Sequence, residues 1–162
     1  MKHGAGAVRD CLFLLLCVFA LSSAAQAAAP PSERWIGTWA ASPEASPNTT
    51  PVSGSTGTTF REIVHTSAGG AAVRVVLTNE FGLESLTVGA AQIAISAGGG
   101  AIELSTAKRV SFGGQTSVTL PAGTMMVSDP VELKLPALAD VAISLFIPAQ
   151  TISQSTVHSY AL

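Results

Sequence analysis

Few side chains in this sequence are equipped for chemistry, and each has to be weighed against the neighbours it would need. Ser96 lies in Ala94-Ile95-Ser96-Ala97-Gly98, a near match to the Gly-x-Ser-x-Gly elbow that lifts a nucleophilic serine to the tip of a strand-to-helix turn. Acyl transfer from such a serine requires a base within hydrogen-bond reach and donors aimed at the developing oxyanion. The elbow works because a helix follows it. Here Gly98-Gly99-Gly100 follows, which reads as a hairpin loop, so no catalytic residue is assigned. His65 and His158, with acids such as Asp129 or Glu80, could in principle build a base or a metal site. They lack the His-x-His or helical spacing of ligand pairs and read as surface or hydrogen-bonded side chains. Neither a metal nor any other cofactor is expected.

Other residues suggest contact rather than catalysis. Trp35 and Trp39 are four apart, a spacing that places both rings on one side of a strand. Exposed, they would stack on sugar faces; buried, they would serve a core or an interface, the commoner fate of large aromatic rings. Arg74 sits between Val73 and Val75, and Asn79-Glu80-Phe81-Gly82 follows as a turn that a charged pair near Arg74 would help to position. Trp35, Trp39, His65, Arg74, Asn79, Glu80 and Phe81 are therefore the candidates for contact with a substrate or a neighbouring domain.

The elements that must hold these residues are strands. Val73, Val75 and Leu77 alternate with Arg74, Val76 and Thr78, the period of two that marks a half-buried strand. The same period recurs in residues 58–66, 87–96, 108–112, 117–120, 131–135 and 141–147, most of them bounded by Gly or Pro. Residues 35–41 read as a first strand, and residues 42–59, crowded with Ser, Pro, Thr and Gly, as a long loop. Both faces of 141–147 look buried, as at the centre of a sandwich. No window carries a helical period. The expected fold is all-β, an antiparallel two-sheet sandwich of jelly-roll type.

The start of the chain has a different character. Lys2 and Arg9 flank the entry to an apolar stretch, residues 11–21, that closes in Ser22-Ser23-Ala24-Ala25-Gln26-Ala27-Ala28. This is the pattern of a signal peptide cleaved after Ala27, with an apolar run shorter than the ~20 residues a spanning helix needs. Residues 28–34 then form a leader, and residues 35–162 the folded domain. Cys11 and Cys17 both lie in the segment to be removed, which excludes disulfide and thiol chemistry from the mature protein. Taking residues 1–27 from the 162 leaves 135, enough for one core, with six basic and nine acidic side chains. That weakly acidic balance argues against nucleic acid or, after cleavage, a membrane surface as a partner. The expected location is secreted or periplasmic.

Trp35-Ile36-Gly37-Thr38-Trp39-Ala40-Ala41-Ser42-Pro43 and Arg61-Glu62-Ile63-Val64-His65-Thr66-Ser67 together resemble the N-terminal region of secreted bacterial SGNH/GDSL-type esterases. Val73-Arg74-Val75-Val76-Leu77-Thr78-Asn79-Glu80-Phe81-Gly82, Val88-Gly89-Ala90-Ala91, Phe112-Gly113-Gly114 and Val127-Ser128-Asp129-Pro130-Val131 continue the resemblance in the same order. In that family the similar region is a β-rich accessory segment, and the α/β domain with the chemistry comes after it. The family's Gly-Asp-Ser, Gly-x-Asn-Asp and Asp-x-x-His blocks do not occur in this chain, and Asn79 lacks the context of the family's oxyanion asparagine. The resemblance thus implies an accessory domain, inactive by itself and cut short near Thr156-Val157-His158-Ser159-Tyr160. Its partner would be a downstream hydrolase domain acting on a carboxylic ester or acylated carbohydrate through a catalytic serine. The alternatives are a free-standing carbohydrate-binding module and an extracellular structural module.

Overall fold

The computed structural model describes residues 33–46 and 56–158, so the signal peptide, most of the leader and residues 47–55 of the expected loop lie outside the described residues. Two units divide after Ile36. Of the first, residues 33–36 are described; they form no strand, and Trp35 and Ile36 are exposed. The second, from Gly37, holds all the described strands.

The chain is all-β, in several antiparallel sheets. Strands β1 (Glu44–Ala45), β2 (Thr58–His65), β3 (Gly70–Val73), β4 (Val76–Thr78), β5 (Leu86–Val88), β6 (Ala90–Gly98) and β7 (Ala101–Ile102) precede a single 3-10 turn, Leu104–Thr106. After it come β8 (Lys108–Val110), β9 (Val118–Leu120), β10 (Met125–Val127), β11 (Val131–Leu135), β12 (Asp140–Ile147) and β13 (Thr156–Val157). The largest sheet runs β2-β12-β6-β7, with β8 also on β6. The other pairs are β11 with β3, β10 with β4, β5 with β9 and β1 with β13. One core joins them: Val64, Ile93 and Val141 of the large sheet are buried in the same cluster as Leu77, Val88, Leu120, Leu133 and Leu135 of the smaller ones.

Two expected strands are each broken in the middle, for different reasons. The alternating run 73–78 belongs to one long ladder with a fault in it. Val73 faces Val131 and Val76 faces Val127, so residues 128–130 on one side oppose only 74–75 on the other. This is a bulge. Pro130 has no N–H to give a ladder, and buried Ser128 substitutes its side chain: Val75 N–H donates to Ser128 Oγ at 2.9 Å while Ser128 N–H donates to the Val75 carbonyl at 2.9 Å. The run 87–96 breaks at Gly89, where the chain leaves β9 and joins β12. Gly89 N–H donates to the Phe146 carbonyl at 2.9 Å, and a Cβ at this position would stand 3.0 Å from the Phe146 ring.

Residues 35–41 do not form the expected first strand. Thr38 is held at one point: its carbonyl accepts from the N–H and hydroxyl of Ser67, and its Oγ1 both accepts from Ala68 N–H and donates to the Ala68 carbonyl. Side-chain bonds of this kind compete with a ladder for the same backbone groups. The expected loop 42–59 contains the short β1. Strand β12 is central, as expected, with Val141 and Ile147 buried on one face; on the other Ala142 is buried but Phe146 is exposed.

The turn after β4 depends on one asparagine. Buried Asn79 shares its amide N–H groups among the carbonyls of Glu84, Leu120 and Pro121 at 2.8, 3.1 and 3.2 Å, and its own carbonyl accepts from Gly82 and Gly123. A Cβ on Gly82 would fall 1.9 Å from Asn79 Oδ1. Gly82→Ala is therefore expected to destabilise the fold by at least ~2 kcal/mol, and Asn79→Ala by ~2–4 kcal/mol through the carbonyls it leaves unmet. In urea unfolding the double variant should lose markedly less than the sum of the two, because the clash exists only while the asparagine is present. Simple additivity would refute this account.

Candidate functional site

The structure separates the candidate residues into three groups. His65 and Asp140 are directly opposed on β2 and β12, and His65 Nδ1 lies 2.8 Å from Asp140 Oδ1. Both side chains are well exposed. The acid beside this histidine is thus neither Asp129 nor Glu80. The pair is set by strand register, a relation between residues 75 apart that no local motif carries.

Arg74, Asp129 and the glycine pair Gly113-Gly114 make the second group. The bulge projects Asp129 out of its ladder and over the Phe112–Gln115 turn. Phe112 and Gln115 exchange both backbone hydrogen bonds, and Gly113 and Gly114 between them take φ of 58° and 78°. These are the angles of a type I′ hairpin turn, which glycine adopts without strain. The Gly113 and Gly114 N–H groups and the Ser111 hydroxyl all donate to the Asp129 carboxylate, at 3.0, 2.7 and 2.7 Å. Its pKa is held below the ordinary aspartate range, chiefly by the Gly114 N–H, then by the Ser111 hydroxyl, with Arg74 adding a favourable charge. Arg74 thus adds its charge to an acid within the neighbouring bulge, and Asn79 pins the turn that follows β4. A similar clasp fixes the segment before β13. Glu84 accepts from the Ser153 hydroxyl and from its N–H at 3.1 Å, which holds the glutamate below its ordinary pKa. These acids staple loops, and their oxygens are committed to that work.

The third group centres on His158, the residue after β13. Trp39 contacts the His158 ring edge-on, centroids 5.5 Å apart at 71°, and His158 Nε2 is 3.9 Å from Glu62 Oε2. Trp39 remains 36% exposed, so neither this ring nor Trp35, which belongs to the first unit and is also exposed, has the buried position expected of large aromatics. The period-two argument for placing both rings on one side fails because residues 35–41 form no strand. Phe81 is exposed and its N–H donates to Thr156 Oγ1 at 2.9 Å, which ties the Asn79 turn to β13. Glu80 is exposed, its N–H donating to Thr78 Oγ1 at 3.2 Å. Sequence reasoning left Glu62 out of the candidates and read His158 as an isolated side chain; nothing at 39, 62 and 158 signals that these positions meet.

Ser96 behaves as its glycine-rich surroundings imply. It faces Ile102 across the β6–β7 hairpin, and its Oγ accepts from Gly98 N–H at 3.2 Å. No helix follows. Among the described residues, no group of three or more His, Cys, Asp or Glu side chains is arranged to hold a metal ion.

Because the Asp129 pKa is depressed by folding, its contribution to stability is present above the unfolded aspartate value of ~3.9 and is lost as pH falls through the folded value. Asp129→Asn should therefore lower the urea midpoint most near neutral pH, and the gap to wild type should close as pH drops below ~4. A gap that stays constant down to strongly acidic pH would show that the carboxylate's charge is not what the Gly113-Gly114 turn requires.

No protein-family model and no curated protein matches this chain, so its function has to be argued from its own residues.

Proposed function

We propose that this chain is the accessory β-domain of an exported serine ester hydrolase of the SGNH/GDSL type, a jelly-roll-like sandwich that packs beside a hydrolase domain and carries out no hydrolysis itself. Two things support this reading. The segments that carry the resemblance contain the residues on which the fold rests: Ser128-Asp129-Pro130 at the bulge, Asn79 and Gly82 at the pinned turn, Gly113-Gly114 under Asp129, and Ser67 at the Thr38 anchor. A match confined to architecture is what an accessory domain would retain.

The observation that carries the docking role is the outward face of the β4–β10 pair. Val76 and Val127 are directly opposed, with Met125 two residues along on the same side, and they are 56%, 48% and 60% exposed. Their neighbours Leu77 and Met126 turn inward to the core, so this short ladder is apolar on both faces. Contiguous exposed apolar side chains of this kind are what a domain buries against a neighbour. The hydrolase domain is the occupant this reading assigns to it, and its substrate class is a carboxylic ester or an acylated carbohydrate.

The coding sequence after the Leu162 codon tests the assignment. A Gly-Asp-Ser block, in frame or after one frameshift, is the expected finding; a stop with no such block nearby would overturn it. The isolated chain is expected to hydrolyse p-nitrophenyl acetate no faster than its Ser96→Ala variant, and serine-dependent turnover would contradict the accessory role. Val76→Thr combined with Val127→Thr and Met125→Lys should reduce aggregation and binding of an apolar dye while leaving the circular dichroism of the fold unchanged.

A further inference from the structure

We infer that Trp39, Glu62 and His158 form a binding site for a neutral polysaccharide on the surface of this domain, independent of whether a hydrolase domain accompanies it. The three residues come from separate parts of the chain, and each is fixed from behind. Trp39 follows Thr38, whose four hydrogen bonds to Ser67 and Ala68 anchor the segment. Glu62 lies in the middle of β2, opposite Ile143 of β12. His158 follows β13, which pairs with β1 through Glu44 and Val157 and is tied to the Phe81 N–H through Thr156. An aromatic plane and two polar groups are thus held together by the fold, with their outer surfaces left to solvent.

The geometry suits a pyranose ring. The edge-on contact with His158 occupies at most one face of the indole, and Trp39 as a residue is 36% exposed, so it is open in part to a partner from solvent. The C–H face of a sugar is apolar and flat enough to lie there. At the rim, Glu62 Oε2 and His158 Nε2 are 3.9 Å apart, too far to satisfy one another and close enough for adjacent sugar hydroxyls to reach both. A carboxylate accepts hydrogen bonds from hydroxyls and repels another carboxylate. The ligand class assigned is therefore a neutral glycan in preference to a uronate polymer. The His65–Asp140 pair offers no comparable site, since its two groups already bond each other at 2.8 Å.

Gel retardation by soluble polysaccharides tests the site on the full chain. Xylan, glucomannan, hydroxyethylcellulose and β-glucan serve as the neutral probes, polygalacturonate as the acidic control, and the corresponding hexasaccharides as titrants of tryptophan fluorescence. Retardation by at least one neutral polymer, with none by polygalacturonate, is expected. Trp39→Ala should weaken it ~10-fold or more. Glu62→Gln and His158→Ala, both at exposed positions, should each weaken it by ~3–10-fold with an unchanged thermal midpoint, so a loss in Trp39→Ala is not mistaken for unfolding. Trp35→Phe should bind as wild type and leave Trp39 as the only fluorescent reporter. Absence of retardation by all four neutral polymers, or binding that survives both Trp39→Ala and Glu62→Gln, would overturn the proposal. So would equal retardation by polygalacturonate.

Discussion

The exchange between Val75 and Ser128 is the constraint on which the rest of this structure depends. Antiparallel strands must either keep register or insert a residue, and Pro130, which cannot donate, makes an unbroken ladder impossible here. Ser128 supplies an acceptor from its side chain and so allows three residues to oppose two without leaving a buried N–H unmet. The consequence is directional. The ladder changes register between the β3–β11 pair and the β4–β10 pair, and Asp129 is turned outward over the Gly113-Gly114 turn, where backbone donors claim its carboxylate. A single hydroxyl thereby connects the core to a loop on its rim.

The same device recurs in a domain with no cysteine among its described residues. Asn79 ties the β4 turn to the carbonyls of Leu120 and Pro121, Glu84 ties the same turn region to Ser153, and the Gln150 side chain both donates to the Thr87 carbonyl and accepts from the Thr87 N–H. Each closes a stretch of chain with hydrogen bonds between residues apart in sequence. Such links hold only while every partner is present, because each buried polar group left over costs more than its bond contributed. That is why the sensitive positions in this fold are small and polar ones, Ser128, Asn79 and Gly82, as much as core aliphatics.

Two surfaces carry the functional reading, and they are different in kind. The β4–β10 face offers aliphatic side chains with nothing to orient a small ligand, which fits broad contact with another folded domain. The Trp39 site offers one aromatic plane and two directional polar groups, which fits a single sugar unit. They arise from unrelated elements, so an alteration to one is not expected to disturb the other.

The sequence by itself determined that the described chain is built of strands and where most of them lie. A period of two requires only that one face be buried, and 58–66, 131–135 and 141–147 read off almost to the residue. It also showed Ser96 to be in a hairpin, since three glycines in a row admit no elbow helix. What it left open was decided by contacts between distant positions. The breaks at 74–75 and at Gly89 are invisible to periodicity, because alternation continues through a change of partner. Residues 35–41 have strand-forming composition, yet the hydroxyls of Thr38 and Ser67 draw them into a single anchor. His65 found Asp140 through strand register, and His158, just past β13, met both Trp39 and Glu62. Local sequence specifies the shape of each segment; which side chains become neighbours depends on pairing energies that exist only after the sheets have assembled.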